Sequence, residues 1–259
     1  MHTFTSAFSS EWLKTRHSAA SWLVLTGAFF VPLITLIISF NQGDNLPGFY
    51  QLADFWERSF LYQWQSVGPF LLPMGVILAT SLIAQTEFRN NSWKLVHVLP
   101  QSYATTYAAK LLVVLVMMLQ FFVLFNIGIY ISSLIPALVL SDVDLPAESY
   151  PWQLFSAHNL YFYLDCLPII ALQFMLSLRF RNFVVPVGAG FACIIATLFA
   201  VKWKYGYLLP YSYTTLYYFG MNQEIKTSAP VSFHWFAAGY FVLLTVLSYV
   251  LYRTAREKG

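Results

Sequence analysis

The chain has 259 residues, 58% of them hydrophobic, 19% aromatic and only 10% charged, with a net charge of +3 and a mean hydropathy of +0.61. A water-soluble domain carries about a quarter of its residues charged, so this composition excludes one and points to a chain that crosses a membrane repeatedly. The small positive charge reflects where bases sit along the chain and is no nucleic-acid footprint.

The first twenty residues precede any apolar run of spanning length. Phe4, Phe8 and Trp12 recur at i, i+4 and i+8, while Ser9, Ser10, Lys14 and Arg16 take other faces and Glu11 sits beside Trp12. That pattern predicts an amphipathic helix over 1–20 lying in the membrane interface. A plain lead-in to the first span is the alternative. A cleavable signal is not expected, because the apolar run that follows is too long and no small-x-small site ends it.

A hydrocarbon core of about 30 Å needs roughly 20 apolar residues per helical crossing. Six runs qualify: 21–40, 67–86, 111–140, 155–178, 183–203 and 235–252. Each is continuously apolar and does not alternate, so the expected fold is an all-α integral membrane protein with six transmembrane helices in one domain. The third run exceeds one crossing and must tilt, kink at Pro136 or project into water. Pro69 and Pro73 give the second a hinge, or are ordinary membrane prolines.

Between the second and third runs lies the polar segment 87–110, with Glu87 against Arg89, Lys94 and Lys110. Trp93, Leu95, Val96, Val98 and Leu99 cluster before Pro100, which predicts a short helix whose apolar face needs a partner or the lipid surface. Residues 179–182 join two other runs in only four residues, so 24 residues exceed what a connection requires. The stretch before the last run carries Tyr205, Tyr207, Tyr211, Tyr213, Tyr217 and Tyr218. Tyrosines suit a membrane–water boundary, and one or two short outer-leaflet helices are expected there, with no seventh crossing.

Orientation follows from the bases. With the N-terminus inside, ten of the fourteen lysines and arginines fall in the cytoplasm, so both termini are expected there. Lys202 and Lys204, the exceptions beside Trp203, can snorkel to headgroups.

Asp165 is the one acid deep in a run, and an intramembrane carboxyl must face protein or a wet cavity. It is either a pathway residue for cationic cargo or a carboxyl hydrogen-bonded inside the bundle. Gly188, Ala192, Ala196 and Ala200, four apart, allow close helix approach, within the chain or to a second one. His97, His158 and His234 lie near run ends without metal-ligand spacing, and Cys166 and Cys193 lie inside runs and suggest no disulfide frame. No Gly-x-x-x-x-Gly-Lys-[Ser/Thr] loop exists to cradle nucleotide phosphates, and no Gly-x-Ser-x-Gly or second intramembrane acid supports an enzyme.

"SEWLKTRHSAASWLVLTGAFFVPL", Ser10 to Leu33, resembles the opening of ABC-2 type permeases of the bacitracin and lantibiotic resistance (immunity) group. These begin with a Glu-x-x-Lys-x-basic segment, here Glu11, Lys14 and Arg16, followed by a span containing proline, here Pro32. From Trp64 to Lys110 the chain is similar to the same group in its proline-containing second span, Glu87 to Lys94 element, Leu99-Pro100 and Lys110. "LLPYSY", Leu208 to Tyr213, resembles the stretch before the last span.

The resemblance implies a permease subunit in a bacterial inner membrane that itself catalyses nothing and binds no cofactor. ATP and Mg would belong to two copies of a separate ABC ATPase. In those terms 87–110 is the coupling helix, with Glu87, Arg89, Trp93, Lys94, Leu95 and Val96 at the ATPase. The interfacial helix with Glu11, Trp12, Lys14 and Arg16 flanks it. A second permease chain, identical or related, would meet the Gly188 to Ala200 stripe. The implied cargo is an amphipathic peptide antibiotic such as a lantibiotic or a bacitracin-like peptide. Lipid-linked or other amphipathic cargo stands as the alternative, ahead of an intramembrane enzyme or a sensor.

Overall fold

The computed structural model describes residues 2–41, 46–89, 102–180, 182–222 and 232–257. Among them all regular structure is helical: α1 (His2–Thr15), α2 (Ala19–Asn41), α3 (Leu46–Tyr50), α4 (Phe55–Ser66), α5 (Leu72–Arg89), α6 (Tyr103–Val139), α7 (Trp152–Arg179), α8 (Val184–Ala200), α9 (Tyr213–Met221) and α10 (Phe233–Glu257). Five stretches are long and apolar enough to cross a membrane: Ala19–Asn41, Phe55–Thr86, Tyr103–Val139, Trp152–Arg179 and Phe233–Thr254. The fifth expected run gives a shorter apolar helix, the 17-residue α8, because the chain turns at 201–205 and a 3-10 turn follows at Gly206–Leu208.

The second run starts twelve residues earlier than its hydropathy suggests. Phe55–Ser66 continues as helix into α5 through a π-helical turn, Val67–Leu71. Pro69 sits within that turn and has no N–H to give, which favours the wider i to i+5 ladder. The polar residues of α4 that mask it from a hydropathy reading include Gln63, which is wholly buried. Similarly, α6 begins at Tyr103, where Ser102 caps it by accepting from the Thr105 N–H at 3.1 Å, and ends three residues past Pro136.

Packing explains which faces are inside. In α2 the buried stripe is Ala20, Val24, Ala28 and Pro32, set against α6. A side-chain carbon on Gly128 of α6 would meet the Pro32 ring at 2.8 Å, so glycine is what lets these helices touch. The opposite face of α2, with Trp22, Phe30, Leu33 and Ile37, is exposed, as lipid-facing residues are. An aromatic column joins α4, α6 and α7: Trp64 stacks on Phe162 with centroids 3.7 Å apart, and Phe60 on Phe155 at 4.3 Å. Trp64 also meets Phe125 edge-on, a preferred arrangement of aromatic rings.

The tyrosine-rich stretch folds as the 3-10 turn and the nine-residue α9, neither long enough to cross a membrane. It turns back into the bundle. The Tyr211 hydroxyl reaches Gln173 of α7 at 3.1 Å, and α9 packs on the π turn, where Gly68 leaves room for the Phe162 ring and Tyr218.

Candidate functional site

Three polar constellations are built on this frame. The first lies where α1 meets the start of α6. Glu11 accepts from Lys14 at 2.6 Å with one carboxyl oxygen and from Lys110 at 2.9 Å with the other. Lys110 is nearly wholly buried, at 4% exposure of its side chain, and Glu11 is at 12%. Burial pushes the Glu11 carboxyl up, but Lys110 and Lys14 together outweigh it and hold the group below its ordinary 4.5. The pair thus fixes α1 to α6.

Buried positions of α1 are Ala7 and Thr15, with Glu11 between them at the same helical spacing, while Phe4 and Leu13 are exposed. Phe8 and Trp12 stack on one another at 6.2 Å and pack on the core from the flank. An ion pair chose the face; an aromatic stripe could not announce that choice, since Lys110 is 99 residues away. Arg16 follows the end of the helix and is exposed.

Lys110 is the last residue of the expected coupling segment 87–110 and lies in the second turn of α6, which begins at Tyr103 and so takes in the end of that segment. Trp93, Lys94, Leu95 and Val96 lie outside the described residues, as do the side chains of Glu87 and Arg89 in the last turn of α5.

The second constellation centres on Gln173, wholly buried on α7. Its amide nitrogen donates to Ser81 Oγ of α5 at 3.0 Å and to the Pro186 carbonyl of α8 at 2.9 Å. Its oxygen accepts from the Tyr211 hydroxyl at 3.1 Å, and Ser81 is bonded to Ser177 at 3.1 Å. One side chain therefore ties α5, α7, α8 and the re-entrant turn. Gly190 makes the room: a carbon added there would sit 2.8 Å from Gln173 and from Ile77. Sequence reading missed Gln173, although a glutamine in a spanning run is itself a signal of a buried partner.

The third constellation holds Asp165, wholly buried in α7 with Oδ1 2.8 Å from Nδ1 of His234 on α10. His234, expected as a lone boundary residue, is the partner that the acid requires. His158, read the same way, bonds the Tyr217 hydroxyl at 2.7 Å.

The small-residue stripe of α8 is not buried within the chain: Gly188, Ala192 and Ala196 are exposed and Ala200 half-buried, while Pro186, Gly190, Ile194 and Thr197 face inward. Helices α2 and α8 both pack on α5, and a cavity of about 160 Å³ lies between α2 and α5. Leu23, Gly27, Met74 and Gly75 line it. On another side, a groove of about 390 Å³ runs between α6 and α7, with apolar walls and Asn126, Ser156 and Asn159 in its lining.

No curated protein and no solved structure matches the chain. A family model described as ABC-2 family transporter protein matches residues 7–200, which include α2 to α8 and both ends of the Glu11–Lys110 pair. A multi-pass bundle of apolar helices carrying that match is a membrane permease component of a transporter, and its family in general works with an ABC ATPase. The chain belongs to the ABC-2 transporter family.

Proposed function

We propose that the segment 87–110 docks on the ATPase and that α1 shares the contact, so that both termini lie on the cytoplasmic side of a bacterial cell membrane. The observation that carries this reading is the Glu11–Lys110 pair. A displacement of the segment enters α6 at its first turns, and the pair passes it to α1, which leads through residues 16–18 into α2. Glu87, Arg89 and Lys94 would orient the segment, and Trp93, Leu95 and Val96 would wedge it into the partner.

Two copies of this chain, or this chain and a relative, pair through α2, α5 and α8, bringing Gly188, Ala192 and Ala196 against the partner. The cargo is an amphipathic molecule, best matched by a peptide antibiotic of the lantibiotic or bacitracin type. The groove between α6 and α7 supports an amphipathic class over a polar one, since a few amide and hydroxyl groups lie among apolar walls. Lipid-linked cargo fits the same walls and is the second reading.

Affinity capture of tagged protein in mild detergent tests the coupling. Wild type is expected to bring down an ABC ATPase from its native host, and Trp93→Ala and Glu87→Ala to lose most of it. Equal recovery by both variants would move the docking surface elsewhere. For the seam, single cysteines at Ala192 and Ala196 are expected to cross-link two copies in native membranes. Dimers formed only from cysteines at exposed α6 or α10 positions, such as Val123 or Val246, would place the seam on another face.

A further inference from the structure

Asp165 occupies the middle of α7, and its second carboxyl oxygen, Oδ2, is buried without a hydrogen-bond partner among the described residues. The imidazole of His234, in the first turn of α10, is 19% exposed. It is enclosed by Tyr161, stacked at 4.6 Å, by Tyr217, edge-on at 5.2 Å, and by Phe233 at 4.3 Å. Beside the pair stand Cys166 on α7 and Tyr213 on α9, and His158 lies beyond Tyr217. Among the described residues, no charged group on the other packed helices acts on Asp165. The charged residues of α5 are Glu87 and Arg89 at its far end, α6 has Lys110 in its second turn, and α8 carries Cys193 alone.

The proton count of such a pair is constrained by its surroundings. With one shared proton it is either imidazolium with carboxylate or imidazole with carboxylic acid, and both forms are neutral overall. Removing that proton leaves a net negative charge in a low-dielectric interior, and adding a second leaves a net positive one. Both are costly, and the neutral pair keeps the 2.8 Å bond in either form. Of the two side chains only the imidazole is partly exposed.

We infer that Asp165 and His234 form a one-proton binding site inside the bundle, and that its occupancy holds the first turns of α10 on α7. When the proton leaves, a neutral imidazole with a single N–H, which it gives to Oδ1, faces a buried carboxylate whose second oxygen lacks a donor. Water or a cation must then enter, and the start of α10 loosens to admit it. The ligand of this site is a proton from the side of the membrane that His234 faces.

The test is pH-difference infrared spectroscopy on the purified full chain in lipid nanodiscs. In wild type the Asp165 carboxyl and His234 ring bands, identified as those lost in Asp165→Asn and in His234→Gln, shift in one common step, one group by losing the proton and the other through the altered hydrogen bond between them. In His234→Gln the carboxyl step moves by at least about one pH unit, a tenfold change in proton affinity. A carboxyl step at the same pH in wild type and His234→Gln overturns the shared site. Should the single variants fail to accumulate, Asp165→Asn with His234→Gln keeps a neutral hydrogen-bonded pair that carries no exchangeable charge. Deuterium uptake over residues 233–240, corrected for the intrinsic rate, should rise at least about threefold in wild type as the pair deprotonates and stay flat in the double variant. Equal pH dependence in both overturns the proposal.

Discussion

Glu11→Gln is expected to lower the stability of the purified protein by about 3 kcal/mol, because it removes the counter-charge of a lysine that is almost wholly buried. The reverse change, Lys110→Met, is expected to cost less. It leaves a carboxylate that still has Lys14 at 2.6 Å and is nearer to water. Thermal unfolding in detergent, followed by fluorescence, measures both, and equal losses in the two variants would contradict the burial argument. The pH dependence carries a definite sign. The folded-state value of Glu11 lies below the ordinary 4.5, so the contribution is fully present above that pH and is lost as pH falls through the lower, folded value. Wild type should therefore converge on Glu11→Gln under acid conditions and separate from it near neutrality. A gap between the two that is constant over that range would show that the carboxylate charge contributes nothing.

Gln173→Leu is expected to be at least as damaging. The change strands the Pro186 carbonyl, the Tyr211 hydroxyl and one bond of Ser81 inside a packed interior, each at a cost of about 1–3 kcal/mol and not fully additive. A loss of about 3 kcal/mol or more is the predicted result. Gln173→Glu separates geometry from charge, since it keeps the acceptor for Tyr211 but puts a carboxylate against Ser81 and a carbonyl. It should be as poor as leucine. Tyr211→Phe removes one spoke of the network and should cost about 1 kcal/mol. Thermal inactivation of the three variants side by side checks the order. A tolerated Gln173→Leu would mean that water enters this region freely.

How much of this was legible in sequence depended on whether the deciding contact was local. The membrane class and the long apolar helices followed from composition and run length, which need no tertiary information. The start of α4 did not, because Asp54, Glu57, Arg58 and Gln63 dilute its hydropathy although Phe60, Gln63 and Trp64 are buried. The Glu11–Lys110 pair was not legible, since aromatic spacing is visible along the chain and a lysine 99 residues away is not. Asp165 was recognised as a residue needing company, yet His234 looked like a boundary residue. The contact is 69 residues apart in sequence and forms where α10 packs on α7, which periodicity does not encode. The coupling residues Trp93, Lys94, Leu95 and Val96 rest on the family resemblance, since their side chains lie outside the described residues.

The wide turn at Val67–Leu71 has a mechanical meaning. At about 100° per residue, one surplus residue in a helix turns every side chain beyond it by one such step relative to an unbroken α-helix. The π turn at Val67–Leu71 therefore sets the phase of α5 relative to α4. The rod from Phe55 to Arg89 thus works as a shaft with a phase offset built into it. If the offset slides along the shaft by one turn, the residues it passes rotate by about 100° while the helix stays continuous. A pull at the Arg89 end can in this way emerge at the Phe55 end as rotation, without lengthening or breaking the rod.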